Sequence, residues 1–428
     1  MQPKEWARHL LNWKDGRFAW SQLFTLYSYN TIQRHSNNAS GRHFVNSDRF
    51  IGENPPSLEE LKESLRNKDD TFIKKLRYYS RNIRGSDNYW RAKTEDLETW
   101  IHHHVALGHG PPTFFITLSC AENWWPDLRR ILVQLETKSG DLAHASLLAS
   151  NNSKESSKAM SKSAKRYPGF VNNFFLKRAS SFMDTVVKDA LGIKHYWGRV
   201  EFAPGWGQIH LHILAIGRDK AYLKDFYSAK SGAEKAKVID DYARNKLNMT
   251  ADLGGFNEKK EYRAFNDRPL TSPLQSRYCE VTNDEQDQWD LCQDCMLHHC
   301  NDYCLKCGRT KKSPRICRVT GSTESKFGNE DTDGYQSMSE AGILQDEKGI
   351  KHFLMKRTKS KLLTQHSKTL LQAWRGNCDI KLLLYFSDPD FPDIGEIEEV
   401  CRYVVAYTGK KHHTCKQEKE TIRDLIMR

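Results

Sequence analysis

Two histidines at alternate positions, His210 and His212, have the spacing that most directly predicts metal chemistry in this sequence. They follow a Pro-Gly-Trp-Gly stretch at 204–207 that separates two segments of alternating polarity, a pattern that predicts a β-hairpin. Alternate residues of a strand project from one face, and a turn at 204–207 pairs Glu201 with His210 across the hairpin. One carboxylate and two imidazoles then converge, a ligand set that suits Mg²⁺ or Mn²⁺. The alternative is a pair of hydrogen-bonded strand histidines.

Two tyrosines near the end of the chain are candidate nucleophiles. The segment from Asp393 to Gly409 predicts a helix, with an N-terminal capping residue and a C-terminal glycine stop. Tyr403 and Tyr407 are four residues apart and therefore share one face of it. A tyrosine hydroxyl is a weak nucleophile at neutral pH, but a metal that polarises a phosphate reduces the need for basicity. Attack on DNA leaves a 5′-phosphotyrosine and a free 3′-OH. The alternative is two aromatic residues packed at a core edge.

Cysteines are concentrated in one short segment, which favours metal binding over a disulfide framework. Two Cys-x2-Cys pairs, separated by eight residues, predict a structural Zn²⁺ site with four ligands, Cys292, Cys295, Cys304 and Cys307. Further candidate ligands, for this ion or a second one, are Cys279, His298, His299, Cys300 and Cys317.

The charge balance favours a polyanionic partner. Lys and Arg outnumber Asp and Glu by 66 to 54 over 428 residues, which leaves a formal charge of +12. Cations interleave with tyrosines around residues 77–84, a pattern suited to single-stranded nucleic acid, although a solvated helix face is the alternative. The candidate DNA-binding residues are Arg77, Arg81, Arg84, Lys177 and Arg178. No apolar run is long enough to span a membrane, and the N-terminus does not resemble a signal peptide.

The elements that must position these residues follow from local patterning. Residues 1–105 are basic and mostly helical in pattern, and the Ser- and Lys-rich stretch 150–166 predicts a mobile surface loop. The consecutive histidines 102–104 do not share a helix face and are not expected to bind metal. Apolar periodicity predicts strands at 113–120, 196–203, 208–216 and 380–386, and helices at 170–191 and 219–250.

These motifs, taken in order, resemble the Helitron transposases, specifically their replication-initiator nuclease domain. The resemblance runs from about residue 75 to residue 412. Its pieces are Gly85–Trp90, Gly110–Ser119, Trp125, Arg199–Phe202, His210–His212, Tyr403, Tyr407 and Lys410.

The family belongs to the His-hydrophobic-His nucleases, so the resemblance implies an α+β fold, with an antiparallel sheet flanked by helices. It implies that His210 and His212 bind the metal, with Glu201 as the third ligand and Gln208 as its fallback. Together with the local patterns, this predicts a basic, mostly helical DNA-binding region over 1–105 and a nuclease domain over 106–428, with a Cys-rich zinc-binding insertion at about 277–320. The implied partners are single-stranded DNA at transposon ends and a helicase domain in the same full-length protein. The implied location of the protein is the nucleus of a eukaryotic host.

Some positions depart from the family pattern. Ala406 stands where the family often has Lys before the second tyrosine, and Gly205-Trp206-Gly207 replaces an Arg-Gly hairpin. Lys410 or Lys411 is expected to supply the missing charge. The sequence has no phosphate-binding Gly-x-x-x-x-Gly-Lys-Ser/Thr motif and is expected to be a fragment of a longer protein. Two other functions remain open: a non-catalytic, zinc-stabilised DNA-binding protein, and a plasmid or viral replication initiator of the same nuclease class.

Overall fold

The computed structural model of the chain describes slightly more than half of its residues. They are residues 2–21, 24, 27–32, 35, 59, 63, 67, 87–150, 153–202, 208–217, 221–251, 285–297, 305–306, 316–317, 341–345, 351–355, 363–385 and 395. The chain divides into two compact units, one that includes Met1–His103 and one made of His104–Val400. No helix among the described residues is long and apolar enough to cross a membrane.

The first unit begins with two short helices, α1 (Pro3–Leu11) and α2 (Arg17–Trp20). Proline occupies the first position of α1, where the missing N–H has no intrahelical partner to lose, and Glu5 accepts a hydrogen bond from the backbone N–H of Gln2 at 3.2 Å. The chain passes into the second unit within α3 (Asp87–Ala106).

The second unit combines helices with a central antiparallel sheet. Its described helices are α4 (Pro126–Lys138), α5 (Leu142–Ala149), α6 (Ser153–Arg166), α7 (Pro168–Phe182), α8 (Lys188–Ala190), α9 (Ala221–Ser228), α10 (Gly232–Asn245), α11 (Glu285–Leu291) and α12 (Lys368–Trp374), with π-helical turns at Met183–Val187 and Cys292–Met296. Its described strands are β1 (Phe114–Ser119), β2 (Ile193–Phe202), β3 (Ile209–Gly217), β4 (Met249–Thr250), β5 (Leu305–Lys306), β6 (Ile316–Cys317), β7 (Gly342–Gln345), β8 (Lys351–Leu354), β9 (His366–Ser367) and β10 (Cys378–Leu382).

Four strands form the main sheet in the order β10-β1-β3-β2, and each neighbouring pair is antiparallel. Side chains alternate between its faces. One face belongs to the main hydrophobic core, together with side chains of α4 and α7; it carries Phe114, Ile116, Leu118, Ile213 and Ile380. The α+β architecture with an antiparallel sheet flanked by helices is therefore confirmed, and each predicted strand overlaps a strand of this sheet.

The Ser- and Lys-rich stretch is helical where the structure describes it, so the prediction of a loop at 150–166 is wrong for α6. The buried face of α6 carries small residues, and Ser163 donates a hydrogen bond to the fully buried Glu136 at 2.6 Å. Arg166 pairs with the same carboxylate at 2.8 Å. A hydrophobicity pattern misses such a helix because some residues of its inner face are polar. They hydrogen-bond or pair with a buried carboxylate instead of making apolar contacts.

Arg178 of α7 was a candidate DNA-binding residue, and the structure instead buries it. Its side chain is 1% exposed and donates to the carbonyl of Trp374 at 2.8 Å, at the C-terminal end of α12. Its guanidinium lies 4.6 Å from the ring centroid of Trp125. Burial lowers the pKa of Arg178 to about 9, while ring and carbonyl contacts compensate the lost hydration. A buried guanidinium anchors the core and is not available to DNA.

Candidate functional site

The central hairpin has the register that a turn at 204–207 predicts. Glu201 on β2 pairs with His210 on β3. His212 lies two residues further along β3 and therefore on the same face, opposite the core face. The turn itself lies outside the described residues. Local alternation in the sequence was sufficient to place these three side chains together.

Strand β1 orients both imidazoles. The Nδ1 atom of His210 lies 2.9 Å from Oγ of Ser119, and Nδ1 of His212 lies 3.0 Å from Oγ1 of Thr117. These hydroxyl residues are the cross-strand partners of the two histidines in the β1–β3 register. Hydrogen bonds at Nδ1 make Nε2 the nitrogen that could hold a metal, which is how ligating histidines are commonly oriented.

Glu201 completes the site from β2. Its Oε2 lies 2.8 Å from Nε2 of His212, and both side chains are largely buried. Burial and the neighbouring His212 lower the pKa of His210, which favours the neutral imidazole that a metal requires.

The donor set fits a hard divalent cation. Adjacent ligands of an octahedral Mg²⁺ at 2.0–2.1 Å lie about 3.0 Å apart, close to the observed separation of the Glu201 and His212 donor atoms. Two nitrogens and one carboxylate also leave positions for substrate oxygens. The fallback residue Gln208 donates its amide to the carbonyl of Cys120, whereas Glu201 is the residue that contacts His212.

A second carboxylate on this face was missed by sequence reasoning. Asp379 on β10 pairs with Thr117, whose hydroxyl contacts His212. Burial raises the pKa of Asp379, and Lys381 and His212 oppose that shift. Asp379 immediately precedes the predicted strand at 380–386, so extending the alternation by one residue finds it, but its position beside β1 is a tertiary fact.

The other predicted site residues are divided between described and undescribed parts of the chain. Lys177 is exposed on α7, whereas Arg178 is buried. Those outside the described residues are Arg77, Arg81, Arg84, Tyr403, Tyr407 and Lys410.

The described part of the cysteine segment brings together residues that are far apart in sequence. Cys292 and Cys295 lie on the π-helical turn after α11. Sγ of Cys292 lies 3.4 Å from Nε2 of His366, 74 positions away. Nδ1 of His366 is held at 2.9 Å from the carbonyl of Thr364. Burial raises the pKa of Cys292 to about 12 and lowers that of His366 to about 4.

His366 is a candidate ligand that local spacing did not reveal. Cys317 belongs to β6, which pairs with β5. The remaining predicted ligands lie outside the described residues: Cys279, His298, His299, Cys300, Cys304 and Cys307.

Comparison with known proteins found a family similarity over the first half of the chain. A search of curated proteins found no match. Residues 6–215 match the model of the Helitron helicase-like domain at the N-terminus. The matched range contains Glu201, His210 and His212, and ends before the cysteine segment and the two tyrosines. The resemblance to the Helitron transposases is therefore confirmed over residues 6–215, which are similar to the N-terminal Helitron helicase-like domain.

Proposed function

We propose that the chain is a metal-dependent single-strand DNA endonuclease and strand transferase of a rolling-circle, Helitron-like transposon. The observation that carries this proposal is the convergence of Glu201, His210 and His212 on the polar face of the central sheet. Ser119 and Thr117 support it, because they orient the two imidazoles. Arg199, the partner of His212 in the register, adds a guanidinium to this face, which suits a phosphate.

The proposed reaction is a transesterification at one phosphodiester. The hydroxyl oxygen of Tyr403 or Tyr407 forms a bond to phosphorus while the bond from phosphorus to the 3′ oxygen breaks. The phenolic proton leaves the tyrosine, and the departing 3′ oxygen gains a proton to become a free 3′-OH. A 3′-OH from another strand reverses these steps on the phosphotyrosine, which joins the strands. Lys410 or Lys411 offers positive charge near the tyrosines.

Mg²⁺ or Mn²⁺ is the proposed catalytic cofactor, held by His210, His212 and Glu201. Bound there, it polarises the scissile phosphate and stabilises the charge that develops on its oxygens. The chain itself orients the ligands through β1. The ring of Phe115 packs parallel to that of His212, at a centroid distance of 5.7 Å, and shields one side of this imidazole from water.

The proposed partner is single-stranded DNA at the transposon ends. The formal charge of +12 supports this, as does the exposed Lys177. Arg77, Arg81 and Arg84 are the further candidate contacts. A helicase domain in the same full-length protein and a nuclear location belong to the same proposal, and both rest on the family.

Zinc is the proposed structural cofactor of the cysteine segment. Cys292, Cys295, Cys304 and Cys307 are the proposed ligands, and the contact between Cys292 and His366 supports a metal here. A sulfur–nitrogen separation of 3.4 Å is close to the edge of a tetrahedral zinc site, about 3.5–3.6 Å for bonds of about 2.3 and 2.0–2.1 Å.

The decisive experiment is to trap the covalent intermediate. The protein is incubated with labelled single-stranded DNA carrying a transposon end and Mn²⁺, and products are separated on denaturing gels. We expect the wild-type protein to form an adduct and the Tyr403→Phe/Tyr407→Phe double variant to form none. Tyr196→Phe, at an exposed tyrosine of β2, is the matched control and should behave as wild type.

Single tyrosine variants divide the roles further. On the helix that the sequence predicts, positions four apart are separated by about 6 Å along the axis, so we expect only one hydroxyl to lie in line with a fixed phosphate. We expect one single Tyr→Phe variant to stop nicking and the other to stop only strand transfer. An adduct from the double variant refutes the tyrosine assignment. DNA binding without any adduct from wild type favours the non-catalytic alternative, and activity only on plasmid or viral origins favours a replication initiator.

A further inference from the structure

We infer that His104, His109 and His195 form a second metal site, specific for Zn²⁺, that is separate from the proposed catalytic site. All three belong to the unit His104–Val400. Their potential ligand atoms lie within 4.8 Å of one another. His104 lies in the last turn of α3, His109 in the connection to β1, and His195 near the start of β2.

The end of α3 brings the first two histidines together. The backbone N–H of His109 donates to the carbonyl of His104, and that of Gly108 donates to the carbonyl of Val105, both at 3.0 Å. Gly108 has the left-handed φ of 72° that this Schellman-type helix end requires. In this motif the two residues joined by the bond that spans six residues, here His104 and His109, usually make an apolar contact. Here they hold two imidazoles, with Nδ1 atoms 2.9 Å apart.

An irregularity in β2 adds the third histidine. The register of β2 against β3 shifts between Ile193 and His195, which leaves Lys194 as an extra residue. After this bulge, the His195 ring centroid lies 4.3 Å from that of His104 and 4.5 Å from that of His109. The end of α3 and the bulge in β2 therefore bring the three imidazole rings together.

The chemistry of the cluster favours a metal over a simple stack. Nε2 of His195 is buried and has no hydrogen-bond partner among the described residues, which is costly unless a ligand satisfies it. His104 is 8% exposed.

The donor set selects zinc. Three imidazole nitrogens without a carboxylate suit Zn²⁺ better than Mg²⁺ or Mn²⁺. Nitrogens bound to a tetrahedral Zn²⁺ at 2.0–2.1 Å lie about 3.3 Å apart. The Nδ1 atoms of His104 and His109, at 2.9 Å, are slightly closer than this, and all the potential ligand atoms of the cluster lie within 4.8 Å of one another. Three protein ligands leave the fourth position to water.

The site is separate from the proposed catalytic centre. His195 and Glu201 lie six residues apart on the same face of β2, which corresponds to about 20 Å. A metal at the histidine cluster joins the end of α3, the segment that leads into β1 and the first residues of β2. It therefore stabilises the strand that carries Thr117 and Ser119 without taking part in the chemistry.

Metal content and Co²⁺ spectroscopy of the whole chain test this inference. His109→Ala and His195→Ala are compared with His102→Ala, which removes an exposed histidine from the same helix α3. We expect each cluster variant to lose one Zn²⁺ per chain, with wild-type content in His102→Ala. In Co²⁺-loaded protein the thiolate charge-transfer bands of the cysteine segment should persist while the ligand-field bands of the histidine site disappear.

A ligand-swap variant keeps the test decisive if the alanine variants fold poorly. His109→Cys retains a donor and should add a thiolate charge-transfer band to the Co²⁺ spectrum of a protein also carrying Cys292→Ser and Cys295→Ser. Folded His109→Cys protein without that band overturns the inference. Unchanged metal content in His109→Ala and His195→Ala does so too, and then identifies the cluster as a hydrogen-bonded histidine stack.

Discussion

At the scale of single residues, the proposed catalytic centre depends on which atoms face the metal. His210 and His212 are both engaged at Nδ1 by hydroxyls of β1, so Nε2 is the nitrogen directed to the ligand side. Glu201 already lies 2.8 Å from one of these Nε2 atoms. Its role as a metal ligand can be separated from its role as a hydrogen-bond acceptor.

Glu201→Gln makes this separation. The amide keeps the size of the side chain and can still bond to His212, but it loses the negative charge that a divalent cation prefers. We expect metal affinity and cleavage rate to fall by about 10- to 100-fold or more, while DNA affinity stays at the wild-type level. Isothermal titration with Mn²⁺ and single-turnover cleavage measure both effects.

Glu155→Gln, at an exposed glutamate of α6, is the matched control. If Glu201→Gln binds Mn²⁺ with wild-type affinity, the contact with His212 is only a hydrogen bond. Asp379 on β10 is then the next candidate carboxylate on this face.

At the scale of elements, α11, the π-helical turn after it and β9 form a small assembly around Cys292. Arg375, just after α12, holds Asp287 of α11 through two buried contacts of 2.7 and 2.8 Å. Leu291, Met296, Leu363 and Leu371 pack around the same cysteine. This small core alone is modest, so a metal is expected to contribute much of its stability.

His366→Ala tests the zinc proposal at this scale. We expect its zinc content to fall by one ion per chain and its melting temperature to decrease, because a buried ligand and its metal are lost together. Cys292→Ser should give the same result. Cys378→Ala, at a buried cysteine of β10, should lower the melting temperature without any change in zinc. Zinc retained in both His366→Ala and Cys292→Ser protein counts against a site here.

At the scale of the whole molecule, the excess of positive charge is expected to govern the proposed affinity for DNA. Phosphate contacts release counterions, so the logarithm of the affinity falls linearly with the logarithm of salt concentration, by about 0.7 per phosphate contact on a single strand. We expect a steep dependence for this chain. Fluorescence anisotropy with an unstructured oligonucleotide at a series of salt concentrations measures the slope.

The triple variant Arg77→Ala/Arg81→Ala/Arg84→Ala should weaken binding and reduce the slope by about 2, at 0.7 for each lost contact. Lys188→Ala removes a partly buried cation that is paired with Asp184 and serves as the control. A slope near zero for wild type would mean that phosphates do not dominate binding.

Sequence alone determined the features that depend on local periodicity. The alternation around 204–207 was sufficient to predict the pairing of Glu201 with His210, because hairpin register follows from the turn between two adjacent strands. The apolar runs that predicted the strands identified all four members of the main sheet. The ordered motifs identified the Helitron family, and the family model confirmed it.

Only the tertiary structure decided which distant residues meet. Arg178 was expected at a surface, yet it is buried because two tryptophans and the end of α12 surround it. His366 reaches Cys292 across 74 positions, and His195 reaches His104 through a bulge and a helix end. Periodicity reports which side of an element is apolar. It carries no information about which other element covers that side, because that choice depends on the packing of the whole unit.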